Sequence, residues 1–249
     1  MIIDLTQPTS IGLDHVGGKA FNLHKLALLG LPVPAAMVIP VDISLTSSSD
    51  KEKFISIMND HPVIRSGSSF AVRSSGVGED GEGHSFAGIF DTFLDVPVDK
   101  VYESILKVRS SIDSARSAMY AEGRSVAIES MGVVVQHMVN ADYAGVAFSV
   151  SPIEKDDRIA LIEVVEGNGD SLVSGEKTPA TIRVNKLMNT VRIQQHGADR
   201  ISEDMLERLC EMILPLLVKI ERAYGIGVDV EWAVADGTPY ILQARPITT

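Results

Sequence analysis

Four side chains able to handle metal ions and phosphate recur at alternate positions late in the 249-residue chain. Asp229 and Glu231 precede the dipeptide Asp236-Gly237, and Gln243 and Arg245 follow it. Carboxylate and amide oxygens suit Mg²⁺, which takes one or two protein ligands and completes its shell from phosphate and water. A guanidinium grips phosphate in a bidentate fork. Such groups act together only if one element holds them on one side. Val228, Val230, Trp232 and Val234 alternate with the acids, the period of a strand with one apolar face, and Asp-Gly marks a hairpin turn. A three-residue loop from Asp236 to Thr238 places Glu231 opposite Gln243 and Asp229 opposite Arg245, because directly paired residues share a face. A metal and phosphate site and an ordinary solvated strand face both fit this pattern.

Other cations lie where a scaffold could aim them. Lys19 follows Gly17-Gly18 at the mouth of an expected helix, whose Leu23, Leu26 and Leu29 recur at helical spacing before Gly30. Arg73 sits within the short apolar strand Phe70–Ser75. The segment Gln136–Val139 closes an apolar run, where backbone groups could meet an adenine edge while Met138 packs on its face; a plain core strand reads equally well. Gly76, Gly78 and Gly81 satisfy a dinucleotide-loop spacing, yet Glu79, Asp80 and Glu82 would repel a pyrophosphate and no βαβ unit follows. No Walker-type loop is present.

The elements that must carry these residues are legible in outline. Helices are expected near 20–29, 50–59, 99–121 and 203–224, the last kinked at Pro215. Strands are expected at 32–39, 70–75, 131–139, 143–150, 159–165 and 181–184, before the final hairpin. Two lobes are expected, 1–128 and 129–249. A net charge of −11 excludes the basic footprint that nucleic acid or an anionic membrane requires. The single cysteine, Cys210, falls in an apolar periodic segment and reads as a buried, inert thiol in a reducing compartment. No apolar run reaches membrane-spanning length, so a cytoplasmic location is expected.

Several segments in order carry a resemblance: Gly17-Gly18-Lys19-Ala20 through Pro34, Val72-Arg73-Ser74-Ser75, Ser85 through Leu94, Val134 through Val139, Gly145 through Phe148, Val173 through Pro179, Asp229 through Trp232, and Leu242 through Ile247. Together they resemble the ATP-binding domain shared by phosphoenolpyruvate synthase, pyruvate phosphate dikinase and rifampin phosphotransferase. The resemblance implies an α+β fold of the ATP-grasp type, with two lobes enclosing a nucleotide cleft. By position it implies Lys19, Arg73 and Arg245 as triphosphate-binding cations, and Glu231 and Gln243 as Mg²⁺ ligands. Asp229 becomes a further acid of that site, Gln136, His137, Met138 and Val139 the adenine hinge, and Gly88 to Thr92 a loop closing over the phosphates.

The implied activity is transfer of the β-phosphoryl of ATP to a histidine on a swivelling domain, with release of AMP. That histidine belongs to another chain or a missing segment, since His15, His24, His61, His84, His137 and His196 all lie in other contexts. Pro40 to Phe70 is shorter than the family's usual helical region, and Ile89 replaces a polar residue common in the closing loop. Those departures bear on the lid contacts and the docking surface; because Met1 begins a native-looking N-terminus and Thr249 ends just after the Gln-Ala-Arg-Pro motif, the chain is read as a subunit of a split enzyme, ahead of an excised domain or a degenerate module. Two other functions remain open: a regulatory nucleotide-binding module without transfer, and an ATP-grasp ligase forming an acyl phosphate with release of ADP.

Overall fold

Runs of buried apolar residues build two sheets in the computed structural model, which describes residues 1–43, 48–77, 92–121, 130–169, 177–195 and 201–247. The chain divides into two units. The first comprises Met1–Leu29 and Pro34–Met138, and the second Gly30–Val33 and Val139–Ile247. Both combine an antiparallel sheet with helices, so the α+β class is observed.

In the first unit, β1 (Ile3–Asp4), α1 (Leu13–Val16), α2 (Gly18–Leu28) and β2 (Ala36–Ile39) precede α3 (Ser48–Asp60) and the short α4 (Pro62–Ser66). They are followed by β3 (Ser69–Gly76), β4 (Thr92–Pro97), a 3-10 turn at Val98–Lys100, α5 (Val101–Ala121) and β5 (Met131–His137). The sheet runs β1-β2-β5-β3-β4. Phe70, Val72, Val133 and Val135 share one face and pack with Phe54, Met58, Ile64, Val101, Ile105 and Val108. On the opposite face the end of β3 meets the start of α2, where the Ala20 N–H donates to Ser75 Oγ at 3.0 Å.

The second unit holds β6 (Tyr143–Phe148), β7 (Ile159–Glu166), β8 (Ala180–Asn185) and β9 (Thr190–Gln195). Helix α6 (Glu203–Tyr224) and the hairpin β10 (Val228–Ala235) and β11 (Thr238–Pro246) complete it. The sheet order is β11-β10-β6-β7-β8-β9. Helix α6 begins on Ser202, whose side chain accepts from the Met205 N–H, and stops at Gly225 in the left-handed region at φ 70°. Its Leu206, Leu209, Ile213, Leu217 and Ile220 are buried, and the helix lies against β6, β10 and β11. Pro215 sits inside the helix on its exposed side, where the carbonyl that loses an amide partner can turn to water. Cys210 is buried, and burial, reinforced by Glu211 and Glu207, pushes its thiol up to about 11. Among the described residues no helix is long and apolar enough to cross a membrane.

Three features differ from the sequence expectations. The residues expected as consecutive strands of the second lobe, 131–139 and 143–150, belong to different sheets. Strand β5 pairs between β2 and β3, so the chain leaves the first unit after Met138 rather than at 128/129. Strands β1, β4 and β9 and helices α1 and α4 were not expected; β4 and β9 are edge strands, Val191 of β9 being exposed, and β1, α1 and α4 span only 2, 4 and 5 residues. Such elements are too exposed or too short to imprint a clear apolar period.

Candidate functional site

The hairpin of the second unit closes with two residues, not three. Asp236 and Gly237 both take positive φ, 49° and 71°, the geometry that matches the twist of paired strands. Carried unbroken along the hairpin, that turn would set Leu242 opposite Glu231 and send Gln243 to the face covered by α6. A bulge prevents it. Trp232 pairs with Ile241, whereas Glu231 pairs with Gln243 and Asp229 with Arg245, so Leu242 is the extra residue. A one-residue slip exchanges the two faces of a strand. The bulge thus brings Gln243 and Arg245 to the polar face, the register expected from a longer loop but reached by another route.

The other face of β10 shows why the arrangement is fixed. Trp232 is fully buried, and its ring lies against Gly145 of the neighbouring strand. A Cβ on Gly145 would fall 2.8 Å from Trp232 Cζ2 and 1.8 Å from the Glu163 carbonyl oxygen. No side chain larger than hydrogen fits there, and the close approach locks β6 against both β7 and β10.

On the polar face, Arg245 donates from Nε to Asp229 Oδ2 at 2.9 Å, and Nη2 lies 2.8 Å from the same oxygen. Burial pushes the Asp229 carboxyl above its ordinary range; Arg245 opposes that rise, and Glu231 adds to it. Gln243 is only 4% exposed, and its Oε1 is buried without a hydrogen-bond partner. A buried acceptor in that condition costs free energy unless a ligand meets it. Glu231 stands directly across, so a carboxylate and an unmet amide oxygen face one another on half-buried ground. This donor set fits Mg²⁺. Among the described residues no group of three or more His, Cys, Asp or Glu could hold an ion alone. Any ion here would complete its shell from water or phosphate.

One residue of this face escaped sequence reasoning. Glu163 on β7 pairs with Val146, which pairs with Glu231, so all three share the face. Burial raises the Glu163 carboxyl, and Asp229 raises it further. The signal was present as a single acid inside the apolar run Ile159–Val165, where the surrounding residues concealed it.

In the first unit the structure brings several expected residues together. Lys19 opens α2, and its Nζ lies 3.5 Å from Ser74 Oγ. Gly17, at φ 79°, makes this entrance possible, since a Cβ there would fall 1.9 Å from the Ser75 carbonyl oxygen. Arg73 pairs with Thr92 on one side and Val134 on the other, and Gln136 pairs with Ala71 two residues along the same face. Arg73, Thr92 and Gln136 therefore line one surface of the sheet. Gln136 is 2% exposed, and its Nε2 is buried without a hydrogen-bond partner. Gly88 lies outside the described residues, as does most of the glycine-dense stretch after Gly76.

The expected hinge is partly committed elsewhere. The His137 N–H donates to the Ala35 carbonyl at 2.8 Å and the Met138 N–H to the Ser69 carbonyl at 3.0 Å, so neither donor is available to a base. The His137 ring turns to the core side, with Nε2 2.7 Å from the Val63 carbonyl oxygen and the ring edge-on to Phe70. Its side chain is thereby a packing element. Val139 begins the second unit. His24 is likewise internal, its ring nitrogens 2.9 and 2.8 Å from the carbonyl oxygens of Leu5 and Thr9. His61 caps α4, and His15 lies near Asp42; His84 and His196 fall outside the described residues.

Comparison with known proteins gives a consistent assignment. Residues 51–206 match the family described as pyruvate phosphate dikinase, AMP/ATP-binding domain. That span contains Arg73, Gln136 to Val139 and Glu163. Over 94% of its length the chain is 35% identical to the uncharacterized phosphotransferase YvkC of Bacillus subtilis, covering 33% of that protein. It is 30% identical over its whole length to the prodigiosin synthesizing transferase PigC of Serratia marcescens, again covering 33%. Over 95% of the chain, identity to a probable phosphoenolpyruvate synthase of Methanocaldococcus jannaschii is 31%, covering 26% of that protein. The chain thus spans a third or less of the length of these relatives.

Proposed function

The chain belongs to the pyruvate phosphate dikinase AMP/ATP-binding domain family, and on that premise we propose that it binds Mg²⁺·ATP and acts as the ATP-using component of a phosphotransferase. It passes the β-phosphoryl of ATP to a histidine on a separate swivelling domain: the α–β anhydride bond breaks and AMP leaves, while the β–γ bond is cleaved by water and the γ-phosphoryl departs as orthophosphate. Its two α+β units are read as an ATP-grasp. The observation that carries this reading is the buried, unpartnered Oε1 of Gln243 placed directly across from Glu231.

Each residue has a defined task. Glu231 and Gln243 hold Mg²⁺, which when bound neutralises phosphate charge. Arg245 binds phosphate oxygens, and Asp229 fixes its guanidinium through Oδ2, so that the fork is aimed before ATP arrives. Lys19 and Arg73 supply further positive charge to the triphosphate. Thr92, beside Arg73, is a further phosphate contact. Gln136, whose amide nitrogen is buried without a partner, supplies a donor to the nucleotide, while Met138 and Val139 meet the base. Catalysis by this chain is positioning and electrostatic stabilisation, with no covalent nucleophile of its own. The relatives' names describe transferases and synthases, which supports phosphoryl transfer over nucleotide sensing alone.

Product analysis tests the reading. The chain is incubated with Mg²⁺·ATP and a phosphohistidine-type domain, and adenine nucleotides are separated by chromatography. AMP should accumulate only when the histidine domain is present, and Glu231→Ala should abolish turnover while leaving the fold intact. Formation of ADP instead would favour the acyl-phosphate ligase and overturn the dikinase-type assignment.

A further inference from the structure

The polar face of the second unit carries one more carboxylate than the proposed metal site uses. Glu163 reaches that face from β7, two strands from Glu231, with Val146 between them. Two interstrand spacings separate the backbones by about 10 Å. Val146 offers no hydrogen-bonding group in that gap. Asp229, Glu231 and Glu163 thus present three carboxylates on one face of the sheet, and of these Asp229 is already held by Arg245. Independently, the Oε1 of Gln243, 4% exposed and unmet, opens onto the same face. Yet no three acids here approach closely enough to share an ion directly.

Resting on the proposed Mg²⁺ site, we infer that Glu163 is a positioning residue for the divalent ion, accepting hydrogen bonds from water carried by an ion bound at Glu231 and Gln243. Mg²⁺ releases water reluctantly and keeps several molecules in its shell. A coordinated water extends the reach of the site by the length of one hydrogen bond, which bridges the breadth that Val146 leaves. Outer partners of this kind orient the shell and raise affinity without touching the ion.

The test uses Mn²⁺ alone as the probe, titrated into the full chain, with free Mn²⁺ read by electron paramagnetic resonance. Glu163→Leu should weaken binding roughly 10-fold, the lower end for loss of an outer-shell partner. Glu163→Gln, which keeps a carbonyl acceptor, should recover part of that loss, a rescue that a purely structural role would not produce. The melting temperature of both metal-free variants should not fall, because the substitutions remove a desolvated charge. Binding within twofold of the unsubstituted chain in both variants would overturn the inference. A loss as large as that of Glu231→Gln would mark Glu163 as a direct ligand and would also overturn it. If Glu231→Gln itself leaves Mn²⁺ binding unchanged, the metal site fails rather than the role of Glu163.

Discussion

Replacing Gln243 by leucine separates stability from function in a way that bears directly on the metal reading. Gln243 is 4% exposed, with Oε1 buried and unpartnered. Leaving such an acceptor unmet costs about 1–3 kcal/mol, and leucine fills nearly the same volume without a polar atom. Imperfect fit of the branched leucine side chain offsets part of the gain, so the metal-free chain should be stabilised by about 1 kcal/mol, or roughly 2–4 °C for a chain of this size. Mg²⁺·ATP should have the opposite effect on the comparison. Saturation at about 100 times the dissociation constant adds about 2.7 kcal/mol to the unsubstituted chain, and Gln243→Leu should lose most of that increment. Thermal melts followed by circular dichroism, with and without Mg²⁺·ATP, measure both quantities. A variant that melts lower without ligand yet retains the full ligand-induced shift would show that Gln243 serves packing and not the ion.

Other perturbations probe the scaffold and the charges. Trp232→Ala should destabilise by about 3–5 kcal/mol in urea unfolding, since the ring is fully buried between α6 and the sheet. Gly17→Ala should force the chain away from Ser75, because φ is 79° and the new Cβ would fall 1.9 Å from a carbonyl oxygen; a melting temperature lowered by several degrees and weakened ATP binding are the expected readouts. Burial is the chief cause that pushes the Asp229 and Glu163 carboxyls above the ordinary carboxylate range. The folded chain therefore holds these protons more tightly than the unfolded chain. Their contribution to stability is complete below the unfolded values and is lost as pH rises through the raised ones. Mg²⁺ binding should strengthen over the same interval as the protons leave, which isothermal titration at stepped pH would register. Affinity that is flat from pH 4 upward would contradict the placement of these acids beside the ion.

Much of the site was legible because local chemistry has a fixed period. Alternation from Val228 to Val234 reads as a strand with one apolar face, and that pattern alone places Asp229 and Glu231 together. Gly17-Gly18-Lys19 stood at the mouth of an expected helix, and the helices near 99–121 and 203–224 followed from their apolar stripes. Strands β5 and β6 were recognisable individually, but their membership in separate sheets was not, because an apolar run records burial and not the identity of the partner strand.

Glu163 shows the same boundary more sharply. Its own segment describes a buried strand, and only the pairing of β7 with β6, and of β6 with β10, sets its carboxylate on the face of Glu231. The hairpin marks the division most clearly. From sequence, Gln243 and Arg245 share a face with the acids on the premise of a three-residue loop, because directly paired residues share a face. Where the extra residue would be absorbed, in the turn or in a bulge at Leu242, was decided by strand twist and the packing around Trp232, forces that arise only once the sheet and its covering helix are assembled.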